Sequence, residues 1–329
     1  MKVAAFSVRE IEKSYFIASC VYSRIELIIF DECLTCKNIE VLNGVDAVII
    51  RADSYVDEVL IRELSLKGVK YILTRTTGYE HIDLKACVKY QIRVANVPSY
   101  SPSAISEWAF SCAISLSRRL IYFANKANND DLTITLEGFS YELKNKTVGI
   151  VGLGNIGLTT AKYFKAFNSD VIGYDPYPSQ KAIETVKLVK SLNELVKKSD
   201  IVIFHCPYIK DVNDKIINYN LLKQAKEEAI FINASRGQIQ DEQDILKALK
   251  ENLIYAYATD VLNNEKEFFG KKDIIKNNET IKQLNDLYPR FLLTPHIGSY
   301  TNEAVQNMVE ISLQNLKDFD ENNTCKNEI

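Results

Sequence analysis

Arg236, Glu265 and His296 each stand shortly beyond an apolar, β-rich run. Ala229–Asn233 leads into Ala234-Ser235-Arg236-Gly237, Ile254–Thr259 into Asp260-Val261 and then Glu265, and Arg290–Thr294 into Pro295-His296. Arginine offers a planar fork of donors that matches a carboxylate and can polarise an adjacent ketone. Histidine titrates near neutral pH and can hand a proton to an alkoxide as it forms. A carboxylate beside a histidine favours the imidazolium and fixes the ring. Hydride reduction of a 2-oxo acid needs this set: a carboxylate clamp, a ketone polariser and a proton donor. Singly, each residue has a plainer reading: a surface cation, a solvated acid, a structural histidine. The weight lies in three strand ends delivering them together, because ligands of parallel sheets bind beyond the carboxyl ends of the strands.

A hydride source is suggested by Gly152-Leu153-Gly154-Asn155-Ile156-Gly157, a GxGxxG. The pattern alone is weak. Here it follows the run Thr147–Val151, opens a helix-like stretch, and is followed by Asp175 at the end of the next run. Gly152 permits a tight turn, Gly154 lets backbone approach a pyrophosphate, and Gly157 lets helix and strand pack closely; the helix N-terminus favours phosphate charge. Asp175 would accept from both adenosine ribose hydroxyls and repel a 2′-phosphate, and Pro176-Tyr177-Pro178 brings no cation, so NAD is expected over NADP. The remaining histidines read differently: His205, before Pro207, as a lining residue of the cofactor cleft, and His81 as structural or exposed.

These residues need elements to hold them. Strands are expected at Val3–Ser7, Glu26–Phe30, Asp46–Arg51, Lys70–Thr74 and Arg93–Val97, with helical spacing at Val56–Leu66 and Ile82–Tyr90. A second series runs Thr147–Gly152, Asp170–Tyr174, Asp200–His205, Ala229–Asn233, Ile254–Thr259 and Arg290–Thr294, with helices such as Ile156–Phe167 and Asp241–Lys250. Alternating strands and helices imply parallel βαβ units, and near-continuous apolar runs imply strands covered on both faces. Ser103–Ala127 reads as one long helix, Asn302–Phe319 as a terminal helix, and Asn263–Asp286 as a polar surface excursion.

The chain has 329 residues, which suits two domains. Apolar residues make up 47%, charged residues 25%, and the net charge is −3, so no nucleic-acid or anionic-membrane partner is expected. The opening apolar run is cut by Arg9 and Glu10, and no later run approaches the ~18 apolar residues of a membrane span. A cytoplasmic protein is expected. Seven cysteines stand singly, apart from Cys33-Leu34-Thr35-Cys36. No second pair or nearby histidine completes a metal site, so no metal is expected, and reduced thiols are preferred over a redox pair.

Several of these stretches, in order, resemble the D-isomer-specific 2-hydroxyacid dehydrogenases, over nearly the whole chain. They are Arg75-Thr76-Thr77-Gly78, Asn96-Val97-Pro98-Ser99-Tyr100-Ser101-Pro102, Gly152–Gly157, Tyr174-Asp175-Pro176-Tyr177-Pro178, Asn233-Ala234-Ser235-Arg236-Gly237, Asp260-Val261 with Glu265, and Thr294-Pro295-His296. The resemblance implies an α/β chain of two Rossmann-like or flavodoxin-like domains, with parallel sheets, helices on both faces and an active site in the cleft between them. It implies a substrate domain from 1–100 plus 301–329, and an NAD domain inserted at 101–300. It gives Arg236 to the substrate carboxylate and ketone, His296 to proton donation and Glu265 to pairing with His296. Backbone amides at Thr77 and Gly78 would hold the substrate carboxylate, and Tyr100 would line the pocket. Asn155, Ile156, Asp175, Cys206, Pro207, Asn213, Ala234 and Asp260 fall at NAD-contact positions, and homodimers built partly on Ser103–Ala127 are the rule. One departure concerns Ser299, which stands where lactate-type members carry an aromatic residue; a larger 2-oxo acid than pyruvate is therefore expected to fit. A non-catalytic NAD(H)-sensing co-regulator of the same fold is the alternative, disfavoured by the intact Arg236, Glu265 and His296.

Overall fold

The structure is a computed structural model and describes residues 1–21 and 25–329. The chain divides into two compact units, one formed by Met1–Ser101 with Tyr300–Ile329 and the other by Pro102–Ser299.

The first unit carries five parallel strands, β1 (Lys2–Ala5), β2 (Glu26–Ile29), β3 (Ala47–Ile50), β4 (Tyr71–Thr74) and β5 (Arg93–Ala95). Their spatial order is β2-β1-β3-β4-β5, the flavodoxin-like arrangement. The two-residue period of a strand sends alternate side chains to opposite faces. Val3, Ala5, Ala47 and Ile49 meet Phe16 of the helix Glu10–Val21 and Val309, Leu313, Leu316 and Phe319 of the C-terminal helix Asn302–Asn322. Ala4, Phe6, Val48 and Ile50 turn the other way, onto Leu60, Ile61 and Leu64 of Glu58–Leu66 and Ala86 and Cys87 of Leu84–Lys89. The C-terminal helix thus completes the unit begun by the first hundred residues.

The second unit carries seven parallel strands: β6 (Thr147–Val151), β7 (Asp170–Tyr174), β8 (Lys187–Leu188), β9 (Ile201–Phe204), β10 (Ile230–Asn233), β11 (Ala256–Thr259) and β12 (Phe291–Leu293). Their order, β12-β11-β10-β9-β6-β7-β8, is the doubly wound nucleotide-binding arrangement with one strand added. Val148, Ile150, Ile201, Ile203, Ile230 and Ile232 face the helices Pro102–Ser117 and Asn155–Ala166. Val202, Phe204, Phe231, Tyr257 and Phe291 face the opposite layer, which includes Glu242–Lys250. Each fully buried side chain of this size contributes roughly 1.5–3 kcal/mol, so a charge at Ile203 or Phe231 would disrupt the layer that holds the strand ends.

The sheet has seven strands where six were expected, because β8 is only two residues long. The stretch expected as one helix at Ser103–Ala127 is two, Pro102–Ser117 and Leu120–Asn128, broken where Arg119 adopts a left-handed backbone at φ +52°. The polar stretch 263–286 is not wholly superficial: Phe268 is buried, and the helix Glu279–Asn285 buries Ile281 and Leu284. Among the described residues no helix is long and apolar enough to cross a membrane.

Candidate active site

In the second unit the strand order reverses between β6 and β9, and the glycine-rich loop begins there. Gly152 follows β6 at φ +88°, and a Cβ on it would lie 2.6 Å from the backbone nitrogen of Cys206, just beyond β9. A Cβ on Gly157 would lie 2.0 Å from the Gly152 carbonyl oxygen, so only glycine lets the helix lie this close to the strand. Gly154 differs. Its backbone is ordinary for any residue, at φ −72° and ψ −165°, and a Cβ there would meet no atom within 4 Å. Neither strain nor protein packing calls for glycine at this position; what it leaves open is room for a ligand. Gly154 also N-caps the helix Asn155–Ala166 without a side-chain cap, leaving first-turn amides, those of Asn155 and Ile156 among them, to an outside acceptor.

Asp175, directly after β7, accepts hydrogen bonds from the Leu153 amide at 2.8 Å and the Tyr177 amide at 2.9 Å. Each carboxylate oxygen keeps lone pairs for further donors. An acid fixed against the glycine loop, open space at Gly154 and bare helix amides fit a dinucleotide without a 2′-phosphate. Burial pushes the Cys206 thiol up to about 11, so Cys206 is a neutral thiol at working pH. Asn213 is engaged inside its own loop, accepting from the Ile209 amide and donating to the Pro207 carbonyl.

Beyond β12, the His296 Nδ1 lies 3.1 Å and 3.2 Å from the two carboxylate oxygens of Glu265. Both side chains are part-exposed, and His296 has left-handed backbone at φ +56°. Asn264, before Glu265, does too, at φ +54°. Asparagine adopts such backbone readily, whereas for a residue such as histidine it is uncommon. The loop is held from β11: the buried Asp260 accepts from the Thr294 hydroxyl at 2.5 Å and from the amides of Ile297 at 2.8 Å and Gly298 at 2.6 Å. Burial raises the Asp260 carboxyl above its ordinary value, against those hydrogen bonds. Trp108 in turn donates to the Thr294 hydroxyl. Ser299, half-buried, follows Gly298 at the end of this loop.

Arg236, half-buried, follows β10, and its Nη1 donates to the Ser235 carbonyl at 2.9 Å. Ala234 hydrogen-bonds through its amide to Phe204 of β9. His205 is not a rival proton donor. Its Nε2 pairs with the Thr160 hydroxyl at 2.9 Å, and burial lowers its pKa to about 3, so it stays neutral at working pH.

In the first unit the loop after β4 turns its carbonyls inward. The Thr76 carbonyl accepts from the Val97 amide, that of Thr77 from Asn96, and that of Gly78 from the Thr76 hydroxyl. Among the described residues, no protein acceptor takes the Thr77 or Gly78 amide. The buried Arg75 anchors this loop by donating to the Phe6 and Ser7 carbonyls, both at 3.0 Å. His81, expected as structural or exposed, is buried against the Thr74 hydroxyl. Tyr100 is half-buried, its carbonyl accepting from Asn307.

The supporting residues Thr294, Trp108, Asn233 and Gln240 were not singled out from sequence. Asn233 is marked in sequence as a polar residue ending an apolar strand, whereas Trp108 and Gln240 carry no local signal. Among the described residues no cluster of three or more potential ligands could hold a metal, and Cys33 and Cys36 are free thiols.

Residues 110–298 match the family described as "D-isomer specific 2-hydroxyacid dehydrogenase, NAD binding domain". An aromatic 2-oxoacid reductase of Clostridium sporogenes is 35% identical over 289 residues, 87% of this chain and 86% of that protein. The crystal structure of D-lactate dehydrogenase with NAD+ from Lactobacillus jensenii is similar at a TM-score of 0.89 and 31% identity, covering 100% of this chain and 99% of that one. The structure of D-2-hydroxyisocaproate dehydrogenase gives 0.90 and 32%, with the same coverage. This chain belongs to the D-isomer-specific 2-hydroxyacid dehydrogenases, and its cofactor is NAD.

Proposed function

We propose that this protein uses NADH to reduce a 2-oxo acid to its D-2-hydroxy acid, with His296 as proton donor and Arg236 as substrate clamp. The observation that carries this reading is the pairing of the His296 Nδ1 with Glu265, which leaves Nε2 as the nitrogen for the substrate oxygen. The bound dinucleotide supplies hydride; Gly152, Gly154, Asn155, Ile156, Gly157 and Asp175 hold it, with Cys206, Pro207, Asn213, Ala234 and Asp260 along its path. The Arg236 guanidinium binds the substrate carboxylate and draws electron density from the ketone. As the carbonyl oxygen gains charge, His296 transfers its proton there, and Glu265 holds Nδ1 and keeps the ring aimed. The Thr77 and Gly78 amides add donors for the substrate carboxylate, and Tyr100 contacts the rest of the substrate. The first unit acts as the substrate domain and the second as the NAD domain.

The preferred acid is larger than pyruvate. Ser299 is a small residue, and one relative named above is a reductase of aromatic 2-oxo acids. The active form is a homodimer. Support comes from the strongly exposed apolar side chains of Leu120, Leu132, Ile134, Leu136 and Phe139, which a second copy would cover. The free thiols at Cys33, Cys36, Cys87, Cys112, Cys206 and Cys325 suit the reducing cytoplasm. The test is NADH oxidation across pyruvate, 2-oxoisocaproate, phenylpyruvate and oxaloacetate. A larger kcat/KM for 2-oxoisocaproate or phenylpyruvate than for pyruvate is expected; no turnover of any of the four would overturn the reading.

A further inference from the structure

Beneath the Arg236 turn lies a glutamine that the chemistry above does not use. Gln240 is 1% exposed, and every hydrogen-bonding group of its side chain is engaged. Its Oε1 accepts from Asn233 Nδ2 at 2.8 Å and from the Tyr257 hydroxyl at 2.9 Å. Its Nε2 donates to the Val261 carbonyl at 3.1 Å and to Glu242 at 3.3 Å. The same Asn233 Nδ2 donates to the Arg236 carbonyl at 3.0 Å, and Asn233 Oδ1 accepts from the Ser235 amide at 3.0 Å. One side chain therefore ties the turn that carries Arg236 to the strand β11 and to the segment that runs from Val261 to Glu265.

The two segments are also pressed together. A Cβ on Gly237 would lie 2.0 Å from the Leu262 carbonyl oxygen and 2.6 Å from the Asn263 nitrogen. Asn263 is gripped by its amide on Glu242 at 2.8 Å and by its side chain on the Gln240 carbonyl at 3.1 Å. Burying so many polar groups costs free energy unless all are paired, and a hydrophobic residue could fill this volume more simply. What the network adds is a fixed spacing between two strand ends.

We propose that Gln240 is a positioning residue that sets the separation of the Arg236 turn and the Glu265 segment. The proposal rests on the reading in which Arg236 and Glu265 serve the substrate. A small displacement of a clamp relative to a proton donor slows a reaction strongly, on the order of 10²-fold for 1 Å.

The experiment is a double-mutant cycle of Gln240→Met with Arg236→Lys, measured well below the melting temperature, with NADH affinity followed by fluorescence. Gln240→Met should lower kcat/KM for the 2-oxo acid by about 10- to 100-fold while NADH affinity stays within about twofold. In the Arg236→Lys background the same change should cost less than about threefold, because the misplaced clamp is already lost. A role confined to stability would lower Tm, leave kcat/KM within about threefold, and multiply independently with Arg236→Lys; that result overturns the proposal. If Arg236→Lys is harmful and Gln240→Met is not, only the proposal for Gln240 fails. If Arg236→Lys alone is silent, the clamp reading and the proposal fall together. Should Gln240→Met not fold, Gln240→Glu serves the same cycle, since it keeps the acceptor for Asn233 and Tyr257 and loses the donor to Val261 and Glu242.

Discussion

The two carboxylate oxygens of Glu265 lie 3.1 Å and 3.2 Å from the Nδ1 of His296, a pairing made across 31 residues by two strand ends of one sheet. The contact fixes which ring nitrogen faces the protein and which is left for substrate. Glu265→Gln keeps a hydrogen-bonding group but removes the negative charge beside the ring. It should lower kcat by about 10- to 100-fold with NADH affinity unchanged, less than the loss of the general acid itself. Steady-state kinetics with fluorescence titration of NADH checks this, and wild-type kcat would refute the pairing's role.

Arg236 differs from a lysine in geometry, not charge. Arg236→Lys keeps the positive charge but cannot make a two-pronged contact with a carboxylate. KM for the 2-oxo acid should rise by at least about tenfold, the loss of a charge-assisted hydrogen bond of roughly 1.5–3 kcal/mol. Initial-rate kinetics over a wide substrate range gives the answer; an unmoved KM and kcat would remove the clamp.

Asp175 sits against the glycine loop through the Leu153 amide. In the proposed reading, Asp175→Ala removes the ribose acceptor and the charge that repels a 2′-phosphate. The ratio of kcat/KM for NADH to that for NADPH should fall by about tenfold or more, the scale of one charged hydrogen bond. An unchanged ratio would show that cofactor choice is made elsewhere.

His205 carries a pH-dependent stability. Its pKa in the fold is about 3, against an ordinary value of 6.5, because burial disfavours the charged ring. The unfolded chain therefore binds more protons than the folded one between pH 6.5 and about 3, and stability falls as pH drops through that window. His205→Gln removes the dependence. Relative to pH 7, the wild type should lose roughly 2–3 kcal/mol more than the variant at pH 4.5, read by urea unfolding. Parallel losses in the two proteins would contradict the assignment.

Much of this was legible in the residues because the signals were physical. The parallel strands showed as apolar runs; β7 was read to the residue as Asp170–Tyr174. The glycine spacing marked where β6 meets its helix, and Gly154 is open where a ligand would need space. What escaped had no local cause to read. Nothing in Leu116-Ser117-Arg118-Arg119-Leu120 is a helix breaker, yet Arg119 turns left-handed there. A two-residue strand such as β8 is too short to show a period. Ile281 and Leu284 lie in a polar stretch whose buried face is decided by distant partners. Gln240 gives no sign of its role in sequence, because its partners Asn233, Tyr257 and Val261 come from two strand ends that only the folded sheet brings together.

The most direct test of the central claim is turnover of phenylpyruvate with NADH by the wild type and by His296→Ala, with the configuration of the product determined. The wild type should yield the D-2-hydroxy acid. His296→Ala should bind NADH with unchanged affinity and turn over about 10²–10⁴-fold more slowly, the usual span for a lost general acid. An L product, or a His296→Ala enzyme as fast as the wild type, would contradict the account.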